Sequence, residues 1–211
     1  MLTLAAAPVP GLAPPPPPLR ITCDQYARNV AAGVYPPDRR IELLDGIVVL
    51  RDARDSAADR ITQMGPQHAT LTKRARKILE PLAEAAGCVY RDQVDVTLPP
   101  HNDPAPDGVI ATGTDADYDG RHPVAAEIVL LLEVADSSLA NDRTSKARIY
   151  ASSGVRTYWI LNVPARTLEV RTDPDVAGGF YRSAVTLTAA DAATVPLPGG
   201  GVPLPLADLL A

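Results

Sequence analysis

Residues 128–135 have the sequence IVLLLEVA and contain the longest apolar run of this chain, residues 128–132. Apolar and polar residues do not alternate here, which is typical of a strand that is buried on both faces of a sheet. Glu133 interrupts the run near its end, where burial of an unpaired carboxylate would cost several kcal/mol. The stretch therefore predicts a central strand whose glutamate requires a partner.

The sequence on both sides of this strand predicts an α/β fold. Asp45-Gly46 separates two apolar runs, as in a tight hairpin at residues 41–50. Apolar residues recur at helical spacing from Pro66 to Gly87, and a second helix is expected at about 142–152. A short helix capped by Thr22 or Asp24 should precede the hairpin. Further strands are expected at residues 89–98, 107–110, 157–161, 167–172 and 181–187, with a strand edge and a helical turn at 204–210. Together these elements predict one mixed central β-sheet flanked by helices, with an N-terminal hairpin.

The domain organisation follows from length and composition. A chain of 211 residues with 46% hydrophobic residues fits one globular domain, which we place at residues 20–211. Residues 1–19 are rich in proline and alanine and are predicted to form a disordered or extended tail. Residues 51–65 are polar and irregular, and are expected to form a long loop.

Charge and composition exclude several classes of protein. The net charge of −5 argues against broad, non-specific adhesion to nucleic acid, although a local basic patch remains compatible with it. Two cysteines are too few for a disulfide framework. No apolar stretch is long enough to cross a bilayer, and the opening residues lack a basic residue before Arg20. We therefore expect a cytoplasmic protein.

Two acidic residues stand out by their positions. Asp107 follows a proline and precedes the strand-like residues Gly-Val-Ile, and Glu133 ends the apolar run. Carboxylate oxygens bind Mg²⁺, which would lower the pKa of a bound water and so supply hydroxide. The alternative is a salt bridge from Glu133, for which the candidate partners are Arg143, Lys146 and Arg148.

The helix after Glu133 carries charge on its inward face. Asp142, Lys146, Ile149 and Tyr150 lie at spacings of four, seven and eight residues, so they share one side of the helix. The lysine could reach the strand-end carboxylate and stabilise charge in a phosphoryl transfer reaction. The simpler interpretation is an Asp–Lys pair within the helix.

Three separated motifs resemble one known family. Residues 133–163, EVADSSLANDRTSKARIYASSGVRTYWILNV, are similar to the signature stretch of the Uma-type putative restriction endonuclease family, a branch of the PD-(D/E)XK nuclease superfamily. Residues 39–50, RRIELLDGIVVL, resemble the opening hairpin of that family, and Pro106-Asp107-Gly108 resembles its Pro-Asp step. The resemblance spans about residues 21–171 and implies a restriction-endonuclease-like core with a metal-dependent phosphodiesterase site.

The resemblance also implies roles for individual residues. Asp107 and Glu133 match the two acidic metal ligands, and the carbonyl of Val134 would complete the set. Lysine normally stands two positions after the glutamate, where this chain has Ala135. The superfamily can relocate that lysine to the neighbouring helix, and Lys146 is the corresponding candidate here.

Two further residues match polar site positions of the family. Glu42 lies in the hairpin and His68 near the start of the first long helix. From the sequence alone Glu42 could equally face solvent, and His68 could be a core histidine. The same helix carries the densest basic cluster of the chain, which could meet DNA phosphates or simply face water: Lys73, Arg74, Arg76 and Lys77.

The resulting expectation is a Mg²⁺-dependent or Mn²⁺-dependent endonuclease that hydrolyses DNA phosphodiester bonds, with catalytic residues Asp107, Glu133, Lys146, Glu42 and His68. The alternative is an inactive module of the same fold that binds nucleic acid or a protein partner. A homodimer is a further expectation, because nucleases that cut both strands are often dimeric.

Overall fold

The computed structural model of the chain describes residues 16–51 and 65–211. Most of the predicted tail at 1–19 and of the predicted loop at 51–65 therefore lies outside the described residues. The elements follow the chain in the order α1 (Cys23–Ala31), β1 (Ile41–Leu44), β2 (Ile47–Leu50), α2 (Pro66–Ala85), β3 (Cys88–Asp92), β4 (Gly108–Thr112), β5 (Ile128–Ala135), α3 (Leu139–Asn141), a π-helical segment (Asp142–Lys146), α4 (Ala147–Ser152), β6 (Thr157–Asn162), β7 (Thr167–Asp175), β8 (Phe180–Leu187), β9 (Ala192–Val195), β10 (Val202–Pro205) and α5 (Leu206–Leu210).

A six-stranded mixed sheet forms the centre of the fold, in the strand order β3-β4-β5-β6-β7-β8. The pair β5–β6 is parallel and the other neighbouring pairs are antiparallel. Helix α2 packs on one face of the sheet, and α4 packs on the other. The predicted fold class, a mixed sheet flanked by helices, is confirmed.

Strand β5 has the central position that its composition predicts. Leu130, Leu132 and Val134 pack into the core on the α2 side, whereas Leu131 and Ala135 pack into the core on the α4 side. Both faces are covered, which explains why no polar residue alternates with the apolar ones.

The N-terminal hairpin is also confirmed. Ile41 pairs with Leu50 and Leu44 with Ile47, so the turn is formed by Asp45 and Gly46. Both turn residues have positive φ, 51° and 75°, as a tight hairpin turn of this kind requires. Thr22 caps α1 through a capping box with Gln25, which confirms one of the two predicted caps.

Two element predictions are wrong in part. The strand expected at 89–98 ends at Asp92, because Gln93 adopts a positive φ and the following backbone bonds to other loops rather than to β4. Val96 N–H donates to the Pro104 carbonyl and Thr97 N–H to the Pro123 carbonyl. Strand β9, which pairs with β10, was not predicted.

The helix expected at 142–152 begins earlier, at Leu139, and is not regular. It passes through the π-helical segment before α4 begins. None of the described helices combines the length and apolar composition needed to cross a bilayer. Cys23 and Cys88 are both buried and unpaired with each other, as the cysteine count predicts.

Candidate active site

The topology of the sheet brings the two predicted acidic residues together. Strands β4 and β5 are antiparallel, with Gly108 opposite Leu132. The residue before β4, Asp107, therefore lies beside the last part of β5, where Glu133 is located. Both residues are buried: 5% of the surface of Asp107 and 3% of the surface of Glu133 are exposed to solvent.

Asp107 is held by three donors. Its Oδ2 atom accepts a 2.9 Å hydrogen bond from the Val134 N–H and lies 3.1 Å from His68 Nε2. Its Oδ1 atom accepts a 3.0 Å bond from Arg51. Burial raises the pKa of Asp107, but the hydrogen bond and charge of His68 and the charge of Arg51 outweigh it, so the pKa lies below its ordinary value.

Glu133 has a different environment, because its donors come from the helical segment after β5. Its Oε1 atom accepts bonds from Lys146 Nζ at 2.9 Å and from Tyr150 Oη at 2.8 Å. Burial raises the pKa of Glu133 to about 8, against the effect of the Lys146 charge. The partner that the sequence left open is therefore Lys146, since Arg143 pairs with Glu169 and Arg148 with Asp45.

Lys146 also connects the hairpin to the site. Its Nζ atom lies 3.5 Å from Glu42 Oε2, and that oxygen accepts a 3.1 Å bond from the Ala105 N–H. Glu42 therefore points into the protein and not to solvent. Burial lowers the pKa of Lys146, but the neighbouring carboxylates, Glu133 and Glu42 foremost, outweigh it and raise the pKa above its ordinary value.

His68 contacts the site directly from the first turn of α2. Besides its contact with Asp107, its ring lies next to Thr72, whose hydroxyl donates a 2.9 Å bond to the His68 carbonyl. The structure thus places His68 beside a predicted site residue, Asp107; a buried core histidine and a site histidine would both have a partner of this kind.

Three residues of this cluster were absent from the predicted site. Arg51 is the first residue of the predicted polar loop, and nothing in its local sequence links it to Asp107. Tyr150 lies on the inward helix face recognised in the sequence, where an aromatic residue is normally a core residue. Asp142 lies on the same face, but no ion pair between Asp142 and Lys146 forms among the described residues.

Asp142 belongs to the π-helical segment and is 1% exposed. Neither of its carboxylate oxygens has a hydrogen-bond partner among the described residues. Burial raises the pKa of Asp142, opposed by the charge of Lys146 and by Ser138 nearby. The structure therefore places a fourth buried carboxylate beside Glu42, Asp107 and Glu133.

The charges of this cluster do not balance. Its four carboxylates outnumber the two permanent cations, Lys146 and Arg51, by two. With all four carboxylates ionised, these two cations leave the cluster short of two positive charges. One divalent cation would supply them.

Mg²⁺ fits the chemistry of these donors. Among the described residues, no three His, Cys, Asp or Glu side chains are placed to hold a metal ion by themselves. Mg²⁺ does not need such a cage, because it keeps several waters and commonly uses one or two carboxylates. Asp107 and Glu133 supply two carboxylates on adjoining strand ends, and peptide carbonyls such as that of Val134 are hard oxygen donors of the same kind.

The basic cluster of α2 is divided between neutralised and free side chains. Arg76 is paired with Glu80 and Asp92, and Arg74 donates to backbone carbonyls at residues 209 and 211. Lys73 and Lys77 are exposed and form no ion pair with the described residues. These two lysines are the part of the cluster available to an anionic partner.

Comparison with known proteins agrees with this fold. Residues 32–207 match the model of the Uma2 family, described as "Putative restriction endonuclease". A solved crystal structure of "a putative nuclease belonging to DUF820" from Anabaena variabilis matches with a TM-score of 0.62 and 13% sequence identity, over 90% of this chain and 97% of that chain. No curated protein sequence matches the chain.

Proposed function

Since the chain belongs to the Uma2 family of putative restriction endonucleases, we propose that it is an endonuclease that hydrolyses DNA phosphodiester bonds with the help of Mg²⁺ or Mn²⁺. The observation that carries the proposal is the burial of Lys146 between Glu133 and Glu42, while Asp107 bonds to the N–H of Val134, the residue after Glu133. Such a buried ion cluster contributes little to the stability of a fold, because apolar residues of the same volume would often make the protein equally stable.

Asp107, Glu133 and the Val134 carbonyl would hold the cation. When bound, it would lower the pKa of a coordinated water to generate the nucleophile and withdraw charge from the phosphoryl group. Arg51 and His68 fix the Asp107 carboxylate in one orientation, so this carboxylate is already ordered before the reaction begins.

Lys146 would act on the substrate. In hydrolysis, a water oxygen bonds to phosphorus while the bond from phosphorus to one ester oxygen breaks, and negative charge accumulates on the phosphoryl oxygens. An ammonium that is held in place in a water-poor site stabilises this charge without reorganisation. Glu42, whose Oε2 atom lies 3.5 Å from Nζ, is a second carboxylate that holds the ammonium in place.

The DNA backbone would run over the outward face of α2. Lys73 and Lys77 lie one turn apart on this face, on the helix whose first turn carries His68. DNA binding is compatible with the net charge of −5, because contacts with DNA phosphates depend on the local charge of the protein surface that faces them. The two free lysines supply positive charge at that surface.

The test is cleavage of supercoiled plasmid and of single-stranded and branched DNA by the wild type and by Asp107→Asn, Glu133→Gln and Lys146→Ala, each with Mg²⁺, Mn²⁺ or EDTA. We expect metal-dependent cleavage by the wild type and a loss of at least 100-fold in each variant. Lys77→Ala serves as a matched lysine control, which should weaken DNA binding and leave the chemical step unchanged at saturating DNA.

Two results would contradict the proposal. If all three site variants still cleaved DNA, the cleavage would not depend on Asp107, Glu133 and Lys146. A wild type that binds DNA but cleaves none of the substrates would identify the chain as a binding module of the same fold.

A further inference from the structure

The Asp142 carboxylate is buried without a partner. It is 1% exposed, and apart from the neighbouring Ser138 side chain no donor of the described residues lies within hydrogen-bonding reach of either oxygen. Buried polar groups are normally paired, and an unpaired buried carboxylate costs several kcal/mol. A group of this kind requires an explanation in terms of something that binds to it.

The segment that carries Asp142 is fixed against the active site. Tyr158 Oη donates a 3.1 Å bond to the Asp142 carbonyl, and the Tyr158 ring packs against Tyr150 with 4.9 Å between ring centroids. The Tyr150 hydroxyl in turn bonds to Glu133. The negative charge of Asp142 also raises the pKa of Glu133, so the two carboxylates lie within electrostatic range of each other.

No described cation forms an ion pair with Asp142, although the charge of Lys146 acts on it from a distance. Lys146 bonds to Glu133 and Glu42, while Arg143 and Arg171 both bond to Glu169. The local backbone is also costly, because the π-helical pattern is rare and is found mostly at functional sites. The irregular turn and the unpaired charge therefore occur in the same segment that supplies Lys146 to Glu133.

We propose that the Asp142 carboxylate is a further acidic partner of the active-site divalent cation, which it contacts through one of the water molecules that the cation retains. The inference rests on the proposed function, because it assumes the cation at Asp107 and Glu133. It adds a residue from the π-helical segment to a site otherwise built from two strands. It also explains the excess of two negative charges, to which Asp142 contributes.

The experiment measures cation binding rather than cleavage. Mn²⁺ is titrated into the full-length wild type, Asp142→Asn and Asp107→Asn, and free Mn²⁺ is followed by its paramagnetic resonance signal. Asp103→Asn is the matched control, because Asp103 is 4% exposed and has one unpaired buried oxygen, but bonds to neither Glu133 nor Lys146. We expect Asp142→Asn to weaken Mn²⁺ binding at least tenfold and Asp103→Asn to change it less than twofold.

A second readout separates a ligand from a structural residue. Without metal, Asp142→Asn should melt at or above the temperature of the wild type, because it removes a buried unpaired charge. Asp142→Glu, which keeps a carboxylate, should bind Mn²⁺ more tightly than Asp142→Asn.

The outcomes distinguish this inference from the proposed function. Binding that is lost in Asp107→Asn but unchanged in Asp142→Asn would overturn the inference alone. A metal-free Asp142→Asn protein that melts well below the wild type would also overturn it, since the carboxylate would then be structural. A wild type that binds no Mn²⁺ would overturn both.

Discussion

Lys146 Nζ lies 2.9 Å from Glu133 Oε1, and both side chains are almost completely buried. One residue comes from the central strand and the other from the π-helical segment, 13 positions later. Desolvation of two charges offsets most of their attraction, so the pair contributes little net stability. The pair places a permanent positive charge beside Glu133, the carboxylate that we propose as a metal ligand.

Removal of the Lys146 charge should cost stability in a pH-dependent way. Lys146→Met keeps the side-chain length but leaves Glu133 and Glu42 buried without a cation, which should lower the free energy of unfolding by about 3–5 kcal/mol at pH 8. At pH 5 the loss should be smaller, because the carboxyl groups can then be protonated. Urea unfolding at both pH values measures the difference, with the exposed Lys73→Met as control. An equal loss at both pH values would contradict the buried charge argument.

The Tyr150 hydroxyl should matter for both stability and cleavage. Tyr150→Phe removes only the donor to Glu133 and should lower the free energy of unfolding by about 1.5–3 kcal/mol, as for a bond to a charged acceptor. Cleavage should fall about tenfold, because Glu133 loses one of its two fixed donors. Tyr181→Phe is the matched control, since its hydroxyl donates to the neutral Val155 carbonyl. That variant should cost about 0.5–1.5 kcal/mol and keep full activity.

The close approach of Gly108 to Tyr90 should be visible in a double-mutant cycle. A Cβ atom at position 108 would overlap the Tyr90 hydroxyl, so Gly108→Ala should lower the free energy of unfolding by about 1–3 kcal/mol. The Tyr90 hydroxyl has no partner among the described residues, so Tyr90→Phe alone should cost nothing.

The combination of both changes should recover most of the Gly108→Ala loss in chemical denaturation. Additive effects would mean that the glycine is required for another reason. Because Gly108 follows Asp107, cleavage should follow the same pattern of loss and recovery.

Asp95 should make stability depend on pH. Burial and the nearby charges of Asp103 and Glu42 raise its pKa to about 6 in the folded protein, above the value of 3.8 for an unperturbed aspartate. The unfolded chain therefore loses this proton first, and this residue's contribution to stability falls as the pH rises from about 4 to 6.

The corresponding variant is Asp95→Asn. Its melting temperature should exceed that of the wild type by a few degrees at pH 8, and the difference should shrink towards pH 4. Thermal unfolding across this range is the measurement, with the exposed Asp119→Asn as control. A difference that stays constant with pH would show that Asp95 does not titrate in this way.

The elements that could be predicted from sequence are those whose cause is local. β5 follows from an apolar run without alternation, the hairpin from Asp45-Gly46, and α2 from its helical periodicity between Pro66 and Gly87. In each case the residues themselves favour one backbone conformation, whatever packs against them. The strand expected at 89–98 failed where the cause is not local, since backbone groups of other loops take its hydrogen bonds beyond Asp92.

The candidate site divides in the same way. Motif resemblance was sufficient to nominate Asp107, Glu133, Lys146, Glu42 and His68, and the burial of Glu133 could be foreseen from its apolar neighbours. Their assignment to catalysis stays a prediction. Which donor meets which acceptor was decided only by the tertiary structure, because Lys146 reaches Glu133 and Glu42 together only after the hairpin, β5 and the π-helical segment have packed.

Arg51 and Asp142 show the limit of sequence reasoning most clearly. The ion pair of Arg51 with Asp107 joins residues 56 positions apart, so no spacing in the chain indicates it. Asp142 could be placed on the inward helix face, but its lack of a partner depends on where every neighbouring cation has gone. Local sequence fixes backbone preference and burial, whereas the balance of buried charge is a property of the whole packed structure.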